Sequence, residues 1–91
     1  MSDISHVILY SKKNCSYCIK AKNLLINLGL NYTEKKFEDF KNIEALFEDA
    51  GKQVRSMPQI KINGELVGGY NQLIEYLMDK KLVNFKGEPI K

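Results

Sequence analysis

Cys15 and Cys18 stand three positions apart in Cys15-Ser16-Tyr17-Cys18, and the chain has no other cysteine. A disulfide between them closes almost no loop, restrains the unfolded chain little and makes a poor structural staple. The chemistry that suits the pair is thiol–disulfide exchange: one thiolate attacks a disulfide sulfur, and the other displaces the mixed disulfide so formed. A structural zinc site is the competing reading, but it takes four Cys or His ligands, and the chain offers these two cysteines and His6. No metal is therefore expected, and His6 is read as a surface imidazole at the start of a strand.

The pair must be positioned by a strand that ends and a helix that begins. The apolar run His6-Val7-Ile8-Leu9-Tyr10 gives way to the polar Ser11-Lys12-Lys13-Asn14, as a buried strand running into a loop does. From Cys15 onward, Cys18, Ile19, Ala21, Leu24, Leu25 and Leu28 recur mostly at three and four before Gly29, which predicts a helix with Asn14 as its cap. Unpaired N–H groups and the positive end of the macrodipole at that terminus favour a thiolate, to which Lys12 and Lys13 add positive potential. Cys15 is the expected nucleophile. Cys18, one turn deeper on the same face, is the expected resolving thiol.

The remaining elements follow from the same kind of pattern. Tyr32 to Phe37 alternates weakly, as a strand does, and Ile43, Leu46, Phe47 and Ala50 mark an amphipathic helix closed by Gly51. Gln59 to Ile62 and Glu65 to Val67 read as strands joined by a tight Asn63-Gly64 turn. Leu73, Ile74, Leu77 and Met78 define a last helix. The order βαβαββα predicts an α/β fold: a parallel crossover followed by an antiparallel hairpin in one four-stranded mixed sheet, with three helices. The whole chain, 1–91, is read as one domain, with a loosely ordered tail from about residue 83 that includes Gly87 and Pro89.

Composition agrees with a single soluble domain, at 44% hydrophobic and 27% charged residues. The opening residues lack the basic stretch and long apolar run of a secretory leader, and nothing approaches a membrane span. The expected compartment is the cytoplasm, where thiols stay reduced. A net charge of +3 is too mild to point to nucleic acid, and no basic patch interleaved with aromatics lies away from the cysteines.

Two further segments bear on the site. Ser56-Met57-Pro58 can form a turn held by a cis peptide, leaving the backbone of Met57 free to pair with an extended peptide. Gly68-Gly69 ahead of Tyr70-Asn71-Gln72 creates a second helix N-terminus, whose N–H groups suit a carboxylate. With Lys12 on the other side of the thiol, the arrangement matches a small peptide bearing carboxylates at both ends.

From Val7 to about Leu82 the sequence resembles the glutaredoxins. Three motifs in order carry the resemblance: Lys12 ahead of Cys15-Ser16-Tyr17-Cys18, Ser56-Met57-Pro58-Gln59-Ile60 with Ile62-Asn63-Gly64 behind it, and Val67-Gly68-Gly69-Tyr70-Asn71-Gln72-Leu73. The resemblance implies a thioredoxin fold, glutathione as co-substrate, and protein disulfides or glutathione mixed disulfides as substrates. By position it implies that Cys15 takes up glutathione and that Cys18 serves a dithiol route. Lys12 would meet the glycyl carboxylate with Tyr17 packed beside it, Pro58 would be the cis proline, and Met57 would pair with the cysteinyl part. Gly69, Tyr70 and Asn71 would bind the γ-glutamyl end.

Three positions depart from the family pattern. Ser16 replaces the proline common between the cysteines, Asn71 stands where an aspartate is usual and makes the glutamyl contact neutral, and Met57 replaces a frequent valine. The implied enzyme is a monomer without nucleic-acid or membrane partners. Two alternatives stand beside it: a dimer carrying an iron–sulfur cluster ligated with glutathione, and a thioredoxin-reductase-linked electron donor to ribonucleotide reductase.

Overall fold

In the computed structural model, which describes residues 4–84 and 86–90, the strand β1 (Val7–Ser11) lies inside the sheet and is buried on both faces. A strand covered on both faces reads as a nearly continuous apolar run, which is what Val7-Ile8-Leu9-Tyr10 supplies. It pairs in parallel with β2 (Thr33–Lys36), reached through the helix α1 (Ser16–Asn27), and antiparallel with β3 (Gln59–Ile62). The edge strand β4 (Glu65–Gly68) completes the order β2-β1-β3-β4. Asn63 and Gly64 close the β3–β4 hairpin with φ of 53° and 84°, the two left-handed residues such a turn requires.

One face of the sheet packs Val7, Leu9, Ile60 and Ile62 against Ala21, Leu24 and Leu25 of α1 and Leu73 and Leu77 of α3 (Tyr70–Asp79). On the other face Tyr10 meets Leu46 and Ala50 of α2 (Ile43–Ala50). The four-stranded mixed sheet with three helices is the thioredoxin arrangement of glutaredoxins, as expected. Its placement brings the end of β1, the start of α1, the start of β3 and the start of α3 to one end of the molecule.

Several boundaries differ from the sequence reading. Ser11 belongs to the strand and is buried, because its hydroxyl donates to Glu34 Oε2 at 2.7 Å across the β1–β2 pair. Phe37 leaves β2 for a single 3₁₀ turn, Phe37–Asp39. Asn14 does not cap α1: it sits in the left-handed region at φ 55°, and Cys15 is the N-cap. The tail also differs from a loose extension over its described part. Val83 is buried in the main core and bridges Pro89, and the Asn84 side-chain oxygen accepts from the N–H groups of Lys86 and Glu88. An asparagine that can bond its own following backbone organises a turn that hydropathy alone does not signal. Phe85 and Lys91 lie outside the described residues.

Asp49, at the end of α2, ties that helix to three strands. Its carboxylate accepts from Tyr10 Oη at 2.7 Å and from Lys35 Nζ at 2.9 and 3.0 Å, and its backbone carbonyl accepts from Lys61 Nζ at 2.7 Å. Burial, and then the carboxylate beside it, push the Tyr10 phenol well above its ordinary range. Burial alone would raise the Asp49 carboxyl, but the hydrogen bonds from Lys35 and Tyr10 outweigh it and hold the group below the usual carboxylate range. Glu34 is lowered likewise, chiefly by the Ser11 hydroxyl and, against the opposing effect of burial, by Lys22 at 3.1 Å.

Carboxyls depressed in the folded state contribute stability that is present above their unfolded values and is lost as the pH falls through the folded ones. The urea midpoint is therefore expected to fall between about pH 5 and pH 3. Asp49→Asn should flatten that fall; an equally steep fall in the variant would take Asp49 out of the acid response.

Candidate active site

Cys15 and Cys18 are joined in a disulfide, with their Cα atoms 5.2 Å apart. Cys15 is in extended conformation at the N-cap of α1, and its Sγ accepts from the N–H of Cys18 at 3.2 Å. Capping of this kind is usually done by a side-chain oxygen of Ser, Thr, Asp or Asn. Here a sulfur does it, so when the disulfide is reduced the Cys15 thiolate sits where N–H groups and the macrodipole converge. Cys18 lies one turn in at 3% exposure, while Cys15 stays partly exposed. Of the two sulfurs, that of Cys15 is therefore the one more open to solvent. The Cys15 Sγ also lies 3.6 Å from the carbonyl oxygen of Met57.

The Met57–Pro58 peptide is cis. This turn forms one wall of a groove of about 330 Å³; Tyr17 of α1 and the segment Gly69-Tyr70-Asn71 at the start of α3 form the others. The rings of Tyr17 and Tyr70 meet at 5.7 Å between centroids, tilted by 42°. The ammonium of Lys20 stands 5.1 Å from the centre of the Tyr17 ring, within the range of a cation–π contact. Gly68 has φ of 128°, and a Cβ there would come within 2.9 Å of the Gln72 side chain. The close approach of β4 to α3 therefore demands a glycine.

Six of the substrate-contact residues expected from sequence, Tyr17, Met57, Pro58, Gly69, Tyr70 and Asn71, meet in this one groove. Lys12 lies apart, in a neighbouring hollow that shares Ser56 and Met57 with the groove. Gln72 is a lining residue that the sequence reading gave no role. Its Oε1 accepts from the Gly69 N–H at 3.0 Å, so one donor expected to face a carboxylate is already committed. The N–H groups of Tyr70 and Asn71 fall in the first turn of α3, where a helix supplies no backbone partner of its own. A glutamine three residues after a helix cap is the signal that would have revealed this bond. Among the described residues no cluster of three or more His, Cys, Asp or Glu side chains is placed to hold a metal, and no helix is long and apolar enough to cross a membrane.

The family model for glutaredoxin matches residues 7–67. The chain is 36% identical over 66 residues to mitochondrial glutaredoxin-2 of Bos taurus, covering 69% of this chain and 41% of that protein. It thus spans about two-fifths of the length of the mitochondrial relatives it matches. It is 35% identical over 78 residues to glutaredoxin 1 of Rickettsia typhi, covering 84% of this chain and 74% of the relative. Among solved structures, a buckwheat glutaredoxin–glutathione complex superposes with a TM-score of 0.67 at 28% identity, covering 84% of this chain and 71% of that one.

The contrast in exposure between the two cysteines gives a direct expectation. After reduction, iodoacetamide at neutral pH should modify Cys15 roughly 10-fold or more faster than Cys18, as peptide mapping by mass spectrometry would show. Equal rates would contradict the assignment of nucleophile and resolving thiol.

Proposed function

This chain belongs to the glutaredoxin family, its Cys15–Cys18 pair supports thiol–disulfide oxidoreductase chemistry, and from that premise we propose that it takes its electrons from glutathione. The observation that carries the reading is the groove between the cis Met57–Pro58 turn and the N-terminus of α3, walled by Met57, whose carbonyl oxygen lies 3.6 Å from the Cys15 sulfur. A tripeptide extended along such a groove can pair its backbone with Met57. Its γ-glutamyl carboxylate reaches the first-turn N–H groups of Tyr70 and Asn71, beside the close backbone at Gly69. Tyr17 and Pro58 flank the thiol. Lys12, from the adjoining hollow, meets the glycyl carboxylate. The similarity to a protein solved with glutathione supports the same ligand.

The Cys15 thiolate attacks one sulfur of a substrate disulfide, forming a mixed disulfide and expelling the other sulfur as a thiolate that takes up a proton. With a protein disulfide, Cys18 then attacks Cys15, completing the two-electron reduction of the substrate and leaving the Cys15–Cys18 disulfide. Two glutathione molecules restore the dithiol and leave as glutathione disulfide. With a glutathionylated protein, attack on the glutathione sulfur places glutathione on Cys15, and a second glutathione removes it without Cys18. Cys18 also weighs against an iron–sulfur carrier, because it offers Cys15 a disulfide partner in place of a cluster. We place the enzyme as a monomer in a compartment that keeps glutathione reduced, for which the cytoplasm is the simplest choice.

Reduction of a small glutathione mixed disulfide, coupled to glutathione reductase and NADPH, tests the reading. Cys15→Ser should fall to background, whereas Cys18→Ser should keep this activity and lose the reduction of protein disulfides. A wild-type protein inactive with glutathione but active with dithiothreitol would overturn glutathione as reductant. Lys12→Ala should raise the KM for glutathione about 3-fold to 5-fold at constant kcat, the worth of one solvent-exposed charge contact. An unchanged KM would remove Lys12 from the site.

A further inference from the structure

Past the end of α3 the chain turns at Lys81, whose φ is 61°, with the Leu82 N–H donating back to the Leu77 carbonyl at 2.9 Å. Terminal segments are usually loose unless something ties them down, and this one is tied at several points. Val83 is buried in the main core and bridges Pro89, and the Ile90 N–H donates to the Leu82 carbonyl at 3.0 Å. Asn84 closes the turn between these pairs. Its side-chain oxygen accepts from the N–H groups of Lys86 and Glu88 at 2.9 and 3.0 Å, and its side-chain nitrogen donates to Glu88 Oε1 at 3.0 Å. The turn sets Gly87, at φ 80°, against the side of α3. A Cβ there would come within 2.6 Å of Ile74 Cδ1 and 3.7 Å of the Tyr70 hydroxyl oxygen. Tyr70 and Ile74 stand four residues apart, on one face of the helix. The Tyr70 ring in turn meets that of Tyr17, and both line the groove.

We propose that the tail turn positions Tyr70 for the ligand: Gly87 is the stop behind the Tyr70 and Ile74 side chains, and Asn84 holds that stop in place. Covering the core accounts for the burial of Val83 but not for where the turn ends. Tyr70 is the first residue of α3, where a side chain has no preceding helical turn to lean on. Its ring is confined instead by the tail at the hydroxyl end and by Tyr17 beside it. A wall fixed before the ligand arrives need not be ordered on binding, so the tail strengthens binding through pre-organisation. Neither Asn84 nor Gly87 lines the groove, and both are positioning residues. The thiol itself is activated from α1, so the tail leaves the chemical step alone. The proposal rests on the reading of the groove as the glutathione site.

Two readouts test it. In the coupled assay, Asn84→Ala and Gly87→Ala should each raise the KM for the small glutathione mixed disulfide about 3-fold to 10-fold, the worth of one aromatic contact, at constant kcat. Asn84→Asp keeps the acceptor for both N–H groups and should keep the wild-type KM. The iodoacetamide rate at Cys15 should be the same in all of them. A lower melting temperature with an unchanged KM in both Asn84→Ala and Gly87→Ala would overturn the proposal, because the tail would then only cover the core. The second readout needs no glutathione: fluorine NMR of protein labelled with fluorinated tyrosine at its five tyrosines, with signals assigned by Tyr→Phe substitution. Asn84→Ala should move the signals of Tyr70 and Tyr17 and leave that of Tyr10, which packs on the opposite face of the sheet. An unmoved Tyr70 signal would overturn the proposal. A wild type inactive with glutathione whose Tyr70 signal still responds to Asn84→Ala would instead overturn the glutathione reading and support the role of the tail.

Discussion

The helix α1 begins on a sulfur atom, and the rest of the site depends on that constraint. The N-cap must offer an acceptor to the first free N–H groups of the helix, and the catalytic position must offer a reactive thiol at the surface. Cys15 meets both demands through the bond from the Cys18 N–H. The helix cannot shift to relieve the site, because Ala21, Leu24 and Leu25 anchor it in the main core. The strand before it is held too, since Ser11 pairs with Lys36 of β2 and its hydroxyl donates to Glu34. Between these two fixed elements the Cys15 sulfur is left at one end of the sheet, where the cis turn at Met57–Pro58 and the start of α3 meet it.

Charge is placed to suit this arrangement. Two ion pairs among the described residues join Asp49 to Lys35 and Glu34 to Lys22. Those pairs fasten α2 and α1 to the strands. Lys12, whose ammonium adds to the field that α1 directs at Cys15, stands instead at the hollow beside Met57. An anionic sulfur and an anionic peptide ligand are both favoured at an end of the molecule shaped in this way.

Much of this was legible in the residues. The spacing of Cys15 and Cys18 and its position after Val7-Ile8-Leu9-Tyr10 identified the redox pair and its helix. Asn63-Gly64 fixed the hairpin, and Gly51 ended α2 as expected, at φ 99°. What stayed hidden were contacts that depend on tertiary placement. Asn14 has a good capping side chain, but the backbone uses it as a left-handed turn residue, which hands the cap to the next position. Gln72 was read as part of a helix start, although its side chain closes back on Gly69. The tail from about residue 83 has a composition that fits looseness, yet Val83 is buried in the core and Asn84 orders the turn after it. Lys12 illustrates the limit best. Its proximity to the cysteines in sequence was plain, but its separation from the groove by Met57 is a fact of the fold alone.

The most direct measurement is the pH titration of the Cys15 thiolate by its ultraviolet absorbance in reduced Cys18→Ser protein, in which one thiol alone contributes. The N–H of residue 18 is backbone and survives the substitution, so the capping contact remains. A sulfur held at the helix terminus should ionise at least one unit below the value of about 8.5 for a free cysteine. A midpoint at or above about 8.5 would mean that the terminus of α1 does not activate Cys15, and would contradict the helix-terminus origin of its role as nucleophile.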